Sequence, residues 1–468
     1  MSIREESEEC SISPLELFDT PPTQTAVEKS YDVEFLPTSV VRDGGVIKFY
    51  VPASTDDYLD LRNSRLHIKA KIVRASTNAN LAALTSVAPI NNLLQSMWSN
   101  VELMLNDRLV THSNNVHGYV STMAHLLHDS EEFLNSEGRM QMLYKDTASQ
   151  LDSTDPKLSN PTHKIQRLNL KTTGEAANLV TAVNTDATGN HGLHQRFMLT
   201  HGSQSFEMLG GIRLDMFEQL RYLPSGISLK LRLHPQKSVF TLMSDDDDDA
   251  DYKLRIESAS FIIRKVKASP GVIVGHAEAM MHKPAVYPIV RKEVKSFSLP
   301  AGIAQFKQDN IFLGQLPSRV VIAMVDAQAF IGSFDSNPFN FQLFNANLVQ
   351  LYADGEPVRS RPLRLGARSA QSCIECYNSL FRGMGRLDGD RGSIIKMEDW
   401  PRGYSLFAFN LAPDAHCDDH GSLIKHGNLR AEVQFSVALA RAVQLLVYAE
   451  FDNIVKIDSD RQVLVDYV

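Results

Sequence analysis

A chain of 468 residues is too long for one ordinary domain, and usual domain sizes predict two or three. Its hydrophobic content of 43% and charged content of 22% are typical of a soluble globular protein and exclude wholesale disorder. The net charge of -8 excludes nucleic-acid binding over the whole surface, because phosphate contact needs a basic face, and leaves only local basic patches open.

The first 30 residues predict an N-terminal arm, because they are charged and rich in serine and proline. Leu15, Leu17 and Phe18 give the arm apolar side chains, so we expect it to become ordered only against a neighbour. The segment lacks the apolar stretch of a secretory signal, and no window approaches the ~20 apolar residues of a membrane span. Four cysteines are too few for a disulfide framework in so long a chain. We therefore expect a soluble protein of a reducing compartment.

Alternation of apolar and polar residues predicts early strands at 46–51 and 65–73. A hairpin follows at 101–110, with Asn106 and Asp107 as its turn. Apolar residues at helical spacing predict a short helix directly after this hairpin.

Residues 130–210 are weakly patterned and rich in Thr, Asn, Ser, Asp and Gly, which predicts long loops. A connection of this length inside a compact domain usually has a function. Strands resume at 229–234, are interrupted by the acidic run Asp245–Asp249, and continue at 252–267. In the last of these strands, the alternation of apolar and polar residues shifts by one position around Ser258, which predicts a β-bulge.

The end of the chain contains two long strands, because apolar and polar residues alternate over 429–435 and again over 443–451. The short connection at 437–442 predicts that they form an antiparallel hairpin, with one face in the core and the other toward water or a neighbour. We expect a similar hairpin from the last two strands of the first half.

The second half of the sequence repeats the first. Placing Val101 on Val349 aligns VELMLNDRLV with VQLYADGEPV without a gap, and the same offset places Val110 on Val358. The turns coincide, and a helical segment follows each hairpin. These matches predict a duplicated all-β unit.

The predicted fold class is therefore all-β: two consecutive jelly-roll β-sandwiches with short helices and long loops. The predicted organisation is an arm at 1–30, a first jelly roll at 31–270 with its long loop insertion at about 130–210, and a second jelly roll at 271–468. Pro270 and Gly271 mark the boundary. Two Greek-key sandwiches of another topology are the alternative.

Eight segments carry a family resemblance. They are SPLELFDTPPTQTAVEKS, DDYLDL, PINNLLQSMWSNVELMLN, YPIVRKEVKSFSLPAG, DNIFLGQLPSRVV, NPFNFQLFN, GYSLFAFNLAPD and YAEFDNIVKIDSDRQVLVDY. In these segments the chain resembles the hexon-like major capsid proteins of Polinton and adintovirus elements, including related copies integrated in invertebrate genomes. The resemblance spans nearly the whole chain and is weakest from about 130 to 210.

The resemblance implies a double jelly-roll coat protein that assembles as pseudo-hexagonal homotrimers in the icosahedral shell of a virion. Its implied partners are neighbouring capsomers and the penton and minor capsid proteins. It implies no cofactor and no direct sequence-specific contact with nucleic acid.

Motifs of catalysis are missing from the sequence. It contains no GxxxxGK[ST] loop, no GxSxG elbow and no HExxH helix. None of its fifteen histidines form the His-x-His pair that cupin enzymes place on a jelly-roll strand. We expect that the protein is not an enzyme and assign no catalytic or cofactor-binding residue.

One group of residues has the composition of a zinc site, since zinc takes four thiolate or imidazole ligands. The group comprises Cys373, Cys376, His416, Cys417, Asp418, Asp419 and His420. Only the cysteine pair has ligand-like spacing. We prefer two half-buried thiols on a helix and a solvated loop, with zinc as the alternative.

The acidic run Asp245–Asp249 offers the carboxylate oxygens that calcium prefers, but it lacks the Gly and closing Glu of an EF-hand loop. Two basic strand faces, Lys69 with Lys71 and Lys230 with Arg232, offer contacts to an acidic neighbour or to nucleic acid. In each case we prefer a solvated surface.

The sequence therefore favours a structural shell protein that acts by self-association. A ligand- or glycan-binding β-sandwich module is the competing class, because it would explain the long loops without a shell. A third class, a cupin-type enzyme, requires a bound metal.

Overall fold

The computed structural model of the chain describes most of the sequence. The described residues are 17–18, 20–83, 85–157, 189–245, 250–366, 373–387, 392–412 and 423–466.

The first half forms two four-stranded antiparallel sheets and one small two-stranded sheet. Its strands are β1 (Val27–Phe35), β2 (Ile47–Val51), β3 (Asp57–Arg74), β4 (Val87–Pro89), β5 (Trp98–Leu105), β6 (Arg108–His112), β7 (Phe206–Gly210), β8 (Leu229–Pro235), β9 (Leu242–Ser244) and β10 (Tyr252–Ala268). One sheet has the order β1-β10-β3-β7 and the other β2-β8-β5-β6, while β4 pairs with β9.

The second half forms two further antiparallel sheets. Its strands are β11 (Ala285–Leu299), β12 (Gln305–Gln308), β13 (Leu313–Gln315), β14 (Arg319–Asp326), β15 (Ala346–Ala353), β16 (Glu356–Pro357), β17 (Leu363–Arg364), β18 (Phe407–Asn410), β19 (His426–Phe435), β20 (Val443–Ile457) and β21 (Val463–Val465). The sheet orders are β11-β20-β14-β18 and β12-β19-β15-β16. Three short strands, β13, β17 and β21, pair with β19, β15 and β20.

Short helices connect these strands. They are α1 (Leu93–Ser96), α2 (His117–His128), α3 (Glu131–Asn135), α4 (Glu137–Met140), α5 (His191–Thr200), α6 (Asp215–Glu218), α7 (Ser238–Thr241), α8 (Pro270–His282), α9 (Ala327–Ile331) and α10 (Ile374–Gly383), with a 3₁₀ turn at His201–Ser203. The predicted helix after the first hairpin is α2, and α10 follows the equivalent hairpin of the second half.

The two halves share one strand order, because the four main strands of each sheet follow the same sequence of first, last and middle strands, and only the short strands β4, β9, β13, β17 and β21 fall outside this match. The bounds of β5 and β15 differ by the predicted offset at both ends. Their turns, Asn106-Asp107 and Asp354-Gly355, have positive φ at both residues, as a two-residue type I′ hairpin requires. The prediction of two consecutive jelly rolls is confirmed.

The predicted terminal hairpin is wrong. β19 pairs with β12, β13 and β15, whereas β20 pairs with β11, β14 and β21. The connection at 436–442 therefore crosses from one sheet of the sandwich to the other, and β8 and β10 are separated in the same way. Alternation of apolar and polar residues identifies a strand but not the strand with which it pairs. A short connection can join two strands of one hairpin or lead from one sheet of a sandwich to the other.

The region from 130 to 210 differs from the predicted loops. It contains α3, α4, α5 and β7, and residues 158–188 within it lie outside the described chain. Elements of four to ten residues are too short to give a clear periodic signal. The predicted bulge is confirmed, because the register between β10 and β3 shifts between Ile256 and Ser258.

Candidate functional site at the junction of the two jelly rolls

The connection between β6 and β7 covers the outer face of the sheet β11-β20-β14-β18. Its helices supply Met123, Leu134 and Phe197 to the hydrophobic cluster that also holds Val321 and Leu446. The middle of β20 is consequently buried on both faces, although the sequence predicted one face toward water. Helices of the first jelly roll thus cover one face of a sheet of the second jelly roll.

Asp146 joins the parts of this connection that lie before and after residues 158–188 to each other and to the second jelly roll. Its Oδ1 accepts a hydrogen bond from Arg196 Nη2 at 2.8 Å, and its Oδ2 accepts one from Asn337 Nδ2 at 3.1 Å. Arg196 is fully buried, and its Nε and Nη1 donate to the carbonyls of Pro89 and Tyr144 at 2.7 and 3.0 Å. Every charge in this group therefore has a partner.

Asp152 makes a second set of contacts to the same part of the second jelly roll. Asn337 N donates to its Oδ1 at 3.0 Å, and Asn340 Nδ2 donates to its Oδ2 at 2.5 Å. We call Asp146, Asp152, Arg196, Asn337 and Asn340 the clasp. It holds the connection on both sides of the segment 158–188.

A buried carboxylate, Glu450 of β20, lies under the end of α2. His128 Nε2 is 2.7 Å from its Oε1, Tyr448 Oη donates to the same oxygen at 2.7 Å, and Arg319 Nη1 donates to Oε2 at 3.3 Å. Burial alone would raise the pKa of Glu450, but the charges of His128, Lys292 and Arg319 lower this pKa well below its usual range. Glu450 is therefore ionised and joins α2 to β14 and β20 of the second jelly roll.

A second polar group adjoins Glu450 and begins at the end of α2. His125 Nδ1 and Arg213 Nη2 each lie 2.5 Å from Asp129 Oδ2. Arg213 also approaches Glu218 Oε1 at 3.5 Å, and Glu218 pairs with Lys292 of β11. Burial, reinforced by the charge of Arg213, lowers the pKa of His125 to about 4. His125 is consequently neutral at physiological pH.

Asp215 completes the polar groups around Glu450 and Asp129, which together we call the junction network. Its Oδ1 accepts a hydrogen bond from Lys292 N at 3.3 Å, while its Oδ2 has no hydrogen-bond partner among the described residues. Burial raises the pKa of Asp215 to about 7, and the nearby charge of Glu218 adds to this rise, although Lys292 opposes it. The carboxyl group of Asp215 therefore gains or loses its proton near neutral pH.

The junction network contains more carboxyl groups than permanent cations. The carboxyl groups are Asp129, Asp215, Glu218 and Glu450, and the cations are Arg213, Lys292 and Arg319. Removing one partner of a buried ion pair leaves an uncompensated charge and costs about 3–5 kcal/mol. The network therefore favours one relative placement of the two jelly rolls, and it offers no nucleophile with an activating base.

The predicted zinc ligands are only in part described. Cys373 precedes α10 and Cys376 lies within it, and both thiols are buried. Burial raises the pKa of Cys376 to about 12, so this thiol stays protonated. Residues 416–420 lie outside the described chain. Among the described residues, no group of three or more His, Cys, Asp and Glu side chains could hold a metal ion.

The predicted basic strand faces pair with acidic residues on neighbouring strands or in the adjacent hairpin turn. Lys69 pairs with Glu207 at 3.6 Å and Lys71 with Glu257 at 3.3 Å. In the other sheet, Lys230 pairs with Asp107 and Arg232 pairs with Glu102 at 3.4 Å. These faces are charge-balanced ladders rather than basic patches. Of the acidic run, Asp245 is exposed and residues 246–249 lie outside the described chain.

Sequence reasoning missed the clasp and the junction network. Their members are dispersed from Asp129 to Glu450 and share no spacing that a motif search could find. One available signal was the isolated Glu450 within the apolar strand VQLLVYAEF, because a carboxylate at a core position requires a partner.

The strand order and the duplicated halves define a double jelly roll. Three solved structures are similar over nearly the whole chain. A chain of the Sputnik virophage structure has a TM-score of 0.63 at 13% identity, covering 98% of this chain and 93% of that chain. The Faustovirus major capsid protein has a TM-score of 0.56 at 8% identity, covering 94% and 92%. The mavirus major capsid protein has a TM-score of 0.54 at 12% identity, covering 100% and 96%.

Sequence comparison adds one relative and no family. The uncharacterized protein F54H12.2 of Caenorhabditis elegans is 24% identical over 385 residues, which is 81% of this chain and 82% of that protein. No protein-family model matches the chain. At these identities the likeness to the solved structures establishes the fold. Over the described ranges, no helix is long and apolar enough to cross a membrane.

Proposed function

We propose that this protein is a major capsid protein, a structural component of a virion shell. The observation that carries the proposal is the repeated sheet order, together with a likeness to viral major capsid proteins that extends over at least nine-tenths of the chain in each case. A shared fold by itself does not define a function. The sequence resemblance to Polinton and adintovirus capsid proteins supports the same function independently.

The proposed assembly is a homotrimer with a pseudo-hexagonal outline. Two equivalent jelly rolls per chain, repeated around a threefold axis, give six similar units, so the trimer can pack where six neighbours meet. The junction network and the clasp support this use, because a hexagonal outline requires that the two jelly rolls of each chain keep one relative placement.

Trimers of this kind would tile an icosahedral shell in contact with neighbouring capsomers and with penton and minor capsid proteins. The Polinton or adintovirus type of element is the proposed source. The protein acts by association of surfaces, and its charge-balanced strand faces favour protein contacts over nucleic acid.

Sedimentation of the purified chain at micromolar concentration tests the proposal. A permanent interface of more than ~2,000 Å² should hold a trimer through dilution. Negative-stain images of the trimer should show a near-hexagonal outline, and particles should form on co-expression with the rest of its element. A monomer or dimer, with no particles, would refute the shell, and retention of that monomer on a glycan array would favour the binding-module alternative.

A further inference from the structure

The outer face of α8 is an apolar surface that nothing in the described chain covers. Within this helix only Met280 is buried, while Val274 is 65% and Met281 is 76% exposed. Val274, Ala277 and Met281 are spaced three and four residues apart and lie on one face. A fixed apolar face that is exposed on a helix marks an interaction site.

The adjoining face anchors α8 to β3 of the first jelly roll and to the turn between β20 and β21 of the second, so the apolar face cannot turn inward. His276 Nδ1 lies 3.0 Å from Tyr58 Oη, and Arg461 Nη1 lies 2.9 Å from Met280 Sδ. Ile273 packs against the cluster that contains Tyr58.

The N-terminal arm leaves the fold beside the start of α8. Ser269 N, at the N-cap of the helix, donates to Ala26 O at 2.9 Å. Eight residues separate this point from Phe18, which allows a reach of about 28 Å, whereas α8 is about 20 Å long. Leu17 is 75% and Phe18 is 95% exposed. The described residues therefore include two exposed apolar surfaces, Leu17 with Phe18 and the helix face, and the arm is long enough to span a helix of this length.

Charge complementarity favours the arm as the occupant of this face. The arm carries Glu5, Glu6, Glu8 and Glu9 against a single arginine. Lys283 directly follows the helix and Arg461 contacts its Met280, while His276 and His282 lie within it, so the basic side chains near α8 outnumber its single acid, Glu278. A membrane is the weaker alternative, because membrane-surface helices carry Lys and Arg along their polar face and α8 contains neither.

We propose that the outer face of α8 binds the N-terminal arm of a neighbouring copy of this chain, with Leu17 and Phe18 as the apolar anchors. Among the described residues of one chain, neither Leu17 and Phe18 nor the helix face is covered, and we therefore assign the contact to neighbouring copies. Such a head-to-tail contact closes into a ring when the rotation between copies is right, which suits the proposed trimer. This inference extends the proposed function by naming a contact between copies.

Cross-linking tests the contact directly. In a Cys10→Ser, Cys417→Ser background, one chain carries Phe18→Cys and a differently tagged, co-expressed chain carries Ala277→Cys. Mild oxidation should produce a reducible dimer that contains both tags. The matched control replaces Ala277→Cys by Glu356→Cys, an exposed position at the start of β16, and should give no such dimer. A chain with both Phe18→Cys and Ala277→Cys that cross-links only within itself would overturn the proposal.

Sedimentation of the same proteins separates this proposal from the trimer. Met281→Glu and a chain that lacks residues 1–18 should each weaken association at least tenfold, while unfolding of the isolated chain is unchanged. A stable trimer without the mixed-tag dimer would reject the arm contact and leave the trimer intact, whereas a monomer throughout would reject both. Binding to phosphatidylserine vesicles that is lost in Met281→Glu, without cross-linking, would assign the face to a membrane and overturn the proposal.

Discussion

Burial on both faces of β20 changes which residues of this strand are sensitive to substitution. Val447 faces the interior of the sandwich, and Leu446 faces the helices of the β6–β7 connection, yet both are fully buried. Gln444, near the start of the strand, is only half-buried. The sequence alone predicts tolerance at every second position, whereas the structure predicts it only near the strand ends.

Val447→Asp and Leu446→Asp should each abolish folding, because each buries a carboxylate without a partner at a cost of several kcal/mol. Gln444→Asp is the matched control and should change the free energy of unfolding by less than about 1 kcal/mol. Yield of folded protein and denaturant unfolding measure both effects. Tolerance of Leu446→Asp would show that the helices do not cover this face.

Asp215 makes the stability of the junction depend on pH. Its folded pKa of about 7 lies above the usual value of 3.8, so the folded state binds the proton more tightly than the unfolded state. The stabilisation from this group is complete below about pH 4 and is lost as the pH rises to about 7. Lys292, Glu218 and Arg291 are the charged groups that face it.

Asp215→Asn removes this titration and should therefore flatten the pH dependence of unfolding. Between pH 5 and pH 8.5, the variant should gain on the order of 2 kcal/mol relative to the unmodified chain. His117 and His125 titrate in both proteins, so their opposite effect cancels in the comparison. Denaturant unfolding at the two pH values measures the gain, and a constant difference would contradict a raised pKa of Asp215.

At the scale of elements, the sequence predicted strands, turns and the helix after each hairpin, because each depends on local periodicity or on local φ preference. The turn at Asn106-Asp107 was predicted correctly because it depends on the φ preference of these two residues. The pairing of β19 and β20 was mispredicted, because partner choice depends on contacts distant in sequence. The jelly-roll architecture could be predicted only because the strand pattern occurs twice. Two copies of one pattern restrict the possible strand assignments more than a single copy does.

α10 supplies a prediction about metal. Its residue Gly383 packs against β18 so closely that a Cβ atom would lie 2.6 Å from Ala408 Cβ, which fixes the helix independently of its thiols. Replacing Cys373 and Cys376 together by Ser should therefore leave assembly of the proposed trimer unchanged, and the corresponding Ala pair controls for the added hydroxyls. Elemental analysis and sedimentation test this. Stoichiometric zinc in the purified protein, lost together with assembly in the Ser pair, would contradict the prediction.

At the scale of the whole molecule, the two jelly rolls are equivalent in topology but not in surface. The sheet β1-β10-β3-β7 keeps an exposed ladder of ion pairs, whereas the sheet β11-β20-β14-β18 is covered by helices from the other half. The duplication could be predicted from sequence, but this asymmetry could not, because the clasp joins residues nearly two hundred positions apart. The long insertion is therefore part of the junction and not only a surface loop.

The clasp also determines how the role of the insertion can be tested. Replacing residues 158–188 by a Gly/Ser linker of about ten residues spares Asp152, Asn190 and Arg196, so strand content by circular dichroism and the free energy of unfolding should be unchanged. If the segment contributes to contacts between copies or to surface relief, the proposed trimer should dissociate at higher concentration or lose height in particle images. Deleting 150–200 instead removes clasp residues, and this variant should unfold more readily because Asp146 loses its Arg196 partner in a buried site. Equal stability of the two deletions would show that the clasp does not hold the jelly rolls together.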